Sequence, residues 1–204
     1  MFRYIEKDER KLLTEICEEV LFSVQNSVRD YFTFEFRLIG SGIKGLLTKN
    51  GENGHFDLDY NIVLKKDKMS LSSSPDKIRQ IFLTAFNQAN PQYGFRYAQD
   101  STSVITSRLV HDNVLYFLFD VAILKEGNNG NYFKLIYDKY SNRYIWNEVN
   151  QSKDYMIKFK AIKEKGYWPQ FKNRYLELKN MHLRRNDGIK SFSIFLETIN
   201  EFYK

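Results

Sequence analysis

The sequence predicts an α+β fold, in which a twisted mixed sheet flanked by helices is followed by a small C-terminal helical subdomain. Three observations carry that prediction. Between Phe32 and Val149 the apolar residues repeatedly fall into the two-residue alternation of strands. Near both ends they return to the spacing of amphipathic helices. Charge is also unevenly placed: residues 1–150 hold 19 Lys/Arg against 19 Asp/Glu, whereas residues 151–204 hold 12 against 6 and supply the whole net charge of +6. The division expected is therefore 1–150 for the sheet core and 151–204 for a basic helical subdomain.

Composition removes several classes of protein. A chain of 204 residues with 43% hydrophobic and 16% aromatic side chains can bury a core and is not a disordered polymer. Three prolines and ten glycines exclude collagen-like and linker-like sequences. A single cysteine, Cys17, cannot close an internal disulfide. No apolar run approaches the roughly 18–20 residues of a spanning helix, and the opening MFRYIEKDERKLL lacks a signal-peptide core. The expected setting is a reducing cytoplasm, with no membrane partner.

The elements follow in order. Residues 6–31 read as a long helix with Ile16, Val20, Leu21, Phe22 and Val24 on its apolar stripe. Residues 32–39 (FTFEFRLI) alternate as a strand and stop at Gly40-Ser41-Gly42. A second strand covers 55–64. Ser74-Pro75-Asp76 is a helix start, with Ser74 as N-cap and Pro75 at the first helical position, and the helix runs to about Ala89. Strands are expected over 94–110 and 114–124 around the turn His111-Asp112-Asn113, then over 132–138 and 143–149. Helices near 152–165, 169–182 and 188–203 are separated by Gly166 and by Asn186-Asp187-Gly188.

The chemistry lies in HFDLDYNIVL, residues 55–64. Period-two alternation puts Phe56, Leu58, Tyr60, Ile62 and Leu64 on one face, and His55, Asp57, Asp59, Asn61 and Val63 on the other. Two carboxylates on one strand face repel each other unless a cation lies between them or one is protonated, and oxygen pairs of this kind suit Mg²⁺. A third carboxylate, Asp120, is the only charge in VLYFLFDVAIL (114–124), a run apolar enough to suggest burial on both faces. A carboxylate in such a strand needs a metal or a base, unless Arg37 or Arg108 pairs with it. Placed beside Asp57 and Asp59, it would complete a cage for divalent ions. Upstream, the glycines of Gly40-Ser41-Gly42-Ile43-Lys44-Gly45 let backbone N–H groups approach a phosphate.

A strand ending in Gly40-Ser41, then Asp57-Leu58-Asp59, then a lone Asp120 on a later strand resembles the polymerase-β-like nucleotidyltransferase superfamily. The resemblance spans residues 34–124. It implies a nucleotidyltransferase catalytic core, with Mg²⁺ (or Mn²⁺) at Asp57, Asp59 and Asp120 and a nucleoside triphosphate at Gly40 and Ser41. The implied reaction transfers a nucleoside monophosphate to an acceptor hydroxyl and releases pyrophosphate. YLELKN (175–180) and KSFSIFLETINEF (190–202) look like the helices that follow this core in poly(A) polymerases, oligoadenylate synthetases and cyclic-nucleotide synthases. That likeness assigns Lys179 and Ser191 to the triphosphate and Phe192 to the base. Tyr60, Trp146 and Trp168 are further candidates for base stacking, and Lys44 for a phosphate contact.

The acceptor stays open among a nucleotide, an RNA end, a small-molecule hydroxyl and a protein side chain. Two other functions also stay open: a catalytically inactive nucleotide-binding regulator on the same fold, and an RNA-binding module using the basic tail.

Overall fold

The computed structural model describes residues 1–52, 54–149 and 154–203. The expected division between 150 and 151, and the expected helix start at 152, lie outside the described residues. The chain forms two compact units: Ile5–Leu47 with Asn53–Val149, and Met1–Tyr4 with Thr48–Glu52 and Asn150–Lys204.

The larger unit is built on a mixed sheet. Its elements are α1 (Lys7–Val28), β2 (Phe32–Leu38), α2 (Gly40–Lys44), β4 (Phe56–Asp67), α3 (Pro75–Ala89), β5 (Gln99–Asp100), β6 (Ile105–His111), β7 (Val114–Glu126), β8 (Tyr132–Asp138) and β9 (Arg143–Glu148). The strands lie in the order β2-β4-β7-β6-β5, with β8 joining β7 and β9 joining β8. β4 and β7 run parallel, while the other pairings of this sheet are antiparallel. The predicted turn at Asp112-Asn113 is a two-residue hairpin loop with both residues at positive φ (48° and 62°), the geometry that suits the right-handed twist of its strands.

One sheet face forms the core with α1 and α3. Phe56, Leu58, Tyr60 and Ile62 of β4 and Phe117, Phe119, Val121 and Ile123 of β7 meet Val20, Leu21 and Val24 of α1 and Phe82 and Phe86 of α3. Burial of side chains this large stabilises by about 1.5–3 kcal/mol each. Three expectations need correction. Phe22 is half exposed and sits beside Phe36 instead of on the buried stripe, because the helix turns by about 100° per residue. Ser74 occupies the N-cap position of α3 without a side-chain cap bond. β7 is not buried on both faces throughout: Val114 and Tyr116 are exposed, and two-sided burial holds only over Val121–Leu124.

The smaller unit pairs two short strands, β1 (Phe2–Tyr4) and β3 (Thr48–Asn50), antiparallel. It adds α4 (Asp154–Glu164), α5 (Trp168–Arg185) and α6 (Ser191–Phe202). Asn180 of α5 ties the strand pair to the helices by accepting from the Phe2 amide at 2.6 Å and donating to the Phe2 carbonyl at 3.2 Å. The Tyr4 hydroxyl donates to the Lys172 carbonyl at 2.6 Å. Phe159, Phe171 and Phe195 meet edge-on at its centre. No helix among the described residues is long and apolar enough to cross a membrane.

Within the larger unit, Arg79 of α3 is only 1% exposed. Its Nε donates to Asp100 at 2.7 Å, and its Nη2 donates to the carbonyls of Ser101 (3.0 Å) and Val104. This fixes the segment that leads into β6. Arg79→Ala should lower stability by about 2–4 kcal/mol, since three charge-assisted hydrogen bonds are lost, although Tyr144 still donates to Asp100 and the Ser101 amide to the Val104 carbonyl. Denaturant titration checks this, and an unchanged midpoint would show that the segment is held by other contacts.

Candidate active site

The sheet face turned away from the main core carries the acidic cluster. Asp57 and Asp59 project from β4 and Asp120 from β7, and the parallel register places Asp59 directly opposite Asp120. The three carboxylates each present an oxygen within 4.8 Å of the others. Asp57 is exposed, while Asp59 and Asp120 are partly buried.

Burial combined with like charge decides the electrostatics. The Asp59 carboxyl is pushed up to about 6, first by burial, then by Asp57 and by Asp120. The Asp120 carboxyl is also raised, chiefly by burial, with the Thr106 hydroxyl acting in the opposite direction. Thr106 lies opposite Asp120 in the β6–β7 register, and its Oγ1 donates to Asp120 Oδ1 at 2.5 Å. Asp120 is therefore held by a threonine and not by an arginine. Arg37 pairs with Glu35 at 3.0 Å, and Arg108 acts on Asp120 only through its charge. Thr106 was invisible in the sequence, because its role depends on a register that only the hairpin fixes.

Gly40 stands against this cluster. Its φ is +65°, and a Cβ there would come within 2.5 Å of Asp59 Oδ2, so the position requires glycine on both counts. The amide of Ile39 donates to the Asp59 carbonyl at 2.8 Å and fixes the turn to β4. Ser41 is the second residue of α2, and Lys44 Nζ donates back to the Gly40 carbonyl at 3.2 Å.

The remaining sequence candidates are distributed as follows. Lys179 lies within α5, buried, and donates to Thr48 Oγ1 at 2.7 Å with its ammonium 4.3 Å from the Phe2 ring centre. Ser191 is the first residue of α6, and Phe192 is half exposed, edge-on to Tyr155. All three belong to the smaller unit, as does Trp168, which stacks on Phe171. Tyr60 is not a stacking residue, since it is buried in the main core against Phe119. Trp146 donates its Nε1–H to the Ser72 carbonyl and carries Lys125 over its ring at 4.6 Å. His55 is exposed beside the cluster.

The donor set is all hard oxygen, and burial together with like charge raises the Asp59 carboxyl to about 6, an arrangement whose chemistry suits a divalent cation. This structure has counterparts among solved ones. It resembles a STING-associated c-di-GMP synthase, CdnE of Capnocytophaga granulosa, with a TM-score of 0.65 at 14% identity over 97% of this chain. The fold is that of the polymerase-β-like nucleotidyltransferases. The di-nucleotide cyclase DncV of Vibrio cholerae, in its 3′-deoxy ATP form, shares this nucleotidyltransferase fold with a TM-score of 0.66 at 10% identity over 98% of this chain. CdnG of Bradyrhizobium diazoefficiens, solved with GTP, gives 0.52 at 13% identity over 78% of the chain. The chain spans 61% of the length of the CdnE structure, 68% of DncV and 43% of CdnG. No protein-family model and no curated protein matches the sequence.

The raised Asp59 carboxyl has a consequence for stability. Between the ordinary value of 3.8 and about 6, the folded protein retains a proton that the unfolded chain has released. Metal-free stability therefore falls as pH rises through that window, and the penalty is complete above it. Metal-free Asp59→Asn should melt at least about 2–4 °C above wild type near pH 8, with the gap closing near pH 4. Coincident melting curves near pH 8 would show that neither burial nor like charge burdens the Asp59 carboxylate. Separately, Thr106→Val should weaken Mn²⁺ binding roughly tenfold, the scale of a hydrogen bond to a charged group, while Thr106→Ser preserves it. Equal affinities for all three proteins would detach Thr106 from the cluster.

Proposed function

We propose that this chain is a metal-dependent nucleotidyltransferase that moves a nucleoside monophosphate from a nucleoside triphosphate to an acceptor hydroxyl, with release of pyrophosphate. The observation that carries this reading is the convergence of Asp57, Asp59 and Asp120 within 4.8 Å of one another on a nucleotidyltransferase fold. Residues 1–150 serve as the catalytic core in this reading, and residues 151–204 as its basic helical subdomain.

Asp57, Asp59 and Asp120 would hold Mg²⁺ or Mn²⁺. Bound there, the metal supplies the positive charge that neutralises the triphosphate and polarises the acceptor oxygen. The other parts belong to the chain itself. Thr106 occupies Oδ1 of Asp120 and leaves the second oxygen of that carboxylate for the chemistry. Asp120, besides completing the metal site, would take the proton of the acceptor hydroxyl as the base. Gly40 and Ser41 hold the triphosphate beside Asp59, where the absence of a Cβ at Gly40 leaves room for close approach. The resemblance also assigns Lys179 and Ser191, both of the smaller unit, to triphosphate binding.

The acceptor is a nucleotide, an RNA end, a small-molecule hydroxyl or a protein side chain. Two of the similar structures are named as a c-di-GMP synthase and a di-nucleotide cyclase, which makes a nucleotide the first acceptor to try. One buried free cysteine, Cys17, suits a cytoplasmic setting.

Incubation with labelled nucleoside triphosphates and Mg²⁺ or Mn²⁺, followed by assay of pyrophosphate and of labelled product, tests the reading. Asp57→Ala/Asp59→Ala should reduce transfer by at least about 10³-fold, as expected when the groups that stabilise the transition-state charge are removed. Transfer at the wild-type rate in that variant would overturn the mechanism. Saturable triphosphate binding without pyrophosphate release, across the acceptor classes above, would favour the regulatory alternative.

A further inference from the structure

The face that carries the acidic cluster also presents a cation that the mechanism above leaves unused. Lys134 of β8 is the register partner of Leu124 in β7. Leu124 shares its side of β7 with Ala122 and Asp120, so Lys134 and the carboxylates occupy one face of the sheet. Between them the sheet offers Val63, Ala122 and Leu124, a small apolar cluster with Val104 and Tyr132 packed against it. Lys134 is half-buried, and burial lowers its pKa, with Asp59 drawing it the other way. None of the ion pairs among the described residues includes it. Leu124 lies four residues beyond Asp120, about 13 Å by strand rise, and a lysine stem recovers roughly half of that span. A gap remains between the ammonium and the carboxylates, and it is bounded by opposite charges.

The sheet order gives this gap a direction. Gly40 and Ser41 follow β2 and stand on the β4 side of the cluster, whereas β8 joins the opposite edge of β7. The three carboxylates therefore lie between the Gly40-Ser41 turn and Lys134. In-line displacement sets the attacking oxygen opposite the departing pyrophosphate, so a cation across the cluster from the triphosphate turn faces the acceptor. A half-buried ammonium that meets Asp59 and Asp120 only through space gains a hydrogen-bonded partner when an anion reaches it.

We propose that Lys134 is the acceptor-side contact of the transfer site, its ammonium holding the phosphate of a nucleotide whose hydroxyl attacks the α-phosphorus of the triphosphate from the side away from Gly40-Ser41, as pyrophosphate departs. The proposal rests on the nucleotidyltransferase reading and adds to it a residue that discriminates among acceptors. A neutral acceptor cannot make this contact, whereas a mononucleotide makes a charge-assisted one.

The test uses the full chain preloaded with Mn²⁺ and a non-hydrolysable triphosphate. Adenosine and AMP, and then guanosine and GMP, are titrated into it by calorimetry. Wild type should bind at least one monophosphate about tenfold more tightly than its nucleoside, a difference of about 1.4 kcal/mol. Lys134→Met should abolish that preference and Lys134→Arg should retain part of it, while both variants still bind Mn²⁺ and the triphosphate saturably. Those two controls also show that the variants are folded. The proposal is overturned if wild type shows no preference for phosphate, or if Lys134→Met keeps it. Failure of wild type to bind Mn²⁺ or the triphosphate would instead overturn the nucleotidyltransferase reading, and this inference with it.

Discussion

The pairing of β4 with β7 is the constraint on which the site depends. These two strands run parallel within a largely antiparallel sheet, and their register sets Asp59 against Asp120. A shift of one residue would turn every side chain of one strand to the opposite face. Asp120 would then enter the aromatic core, and Phe119 would meet water. The hydrophobic alternation that builds the core thus fixes the geometry of the carboxylates, and the same free energy maintains both.

That constraint has an electrostatic cost, visible in the raised carboxyls of Asp59 and Asp120. Three acids on adjacent strands are unfavourable to folding without cations, and the surroundings reduce the conflict only in part. Thr106 donates to one oxygen, and Lys44 and Lys134 act through their charge from opposite sides. The larger unit retains the arrangement because Arg79 anchors the approach to β6, and Gly40 permits the α2 turn to lie against Asp59.

Much of this was legible in the sequence, and for a physical reason. Period-two alternation over 55–64 determines which side chains share a face, so Asp57 and Asp59 were readable as a pair. The lone charge of 114–124 marked Asp120 in the same way. The turn residues Asp112 and Asn113 tolerate positive φ and located the β6–β7 hairpin. What escaped depends on partners distant along the chain. β1 and β3 are three residues each and pair across more than forty positions, which leaves no periodic signal. Thr106 and Lys134 matter only through cross-strand register. Tyr60 misled because an aromatic beside an acidic pair suggests a ligand contact, although alternation had already placed it on the core face.

The smaller unit contains more than the helices that follow residue 150. Phe2–Tyr4 and Thr48–Asn50 belong to it, joined to α5 through Asn180, and the backbone enters it three separate times. A coding sequence cut after position 149 would therefore do more than remove an appendage from the sheet unit. It would leave two orphaned strands, with Phe2 and Lys49 deprived of the surface they cover, on a polypeptide prone to self-association. Dissection of this protein calls for grafts at several junctions instead of a single truncation.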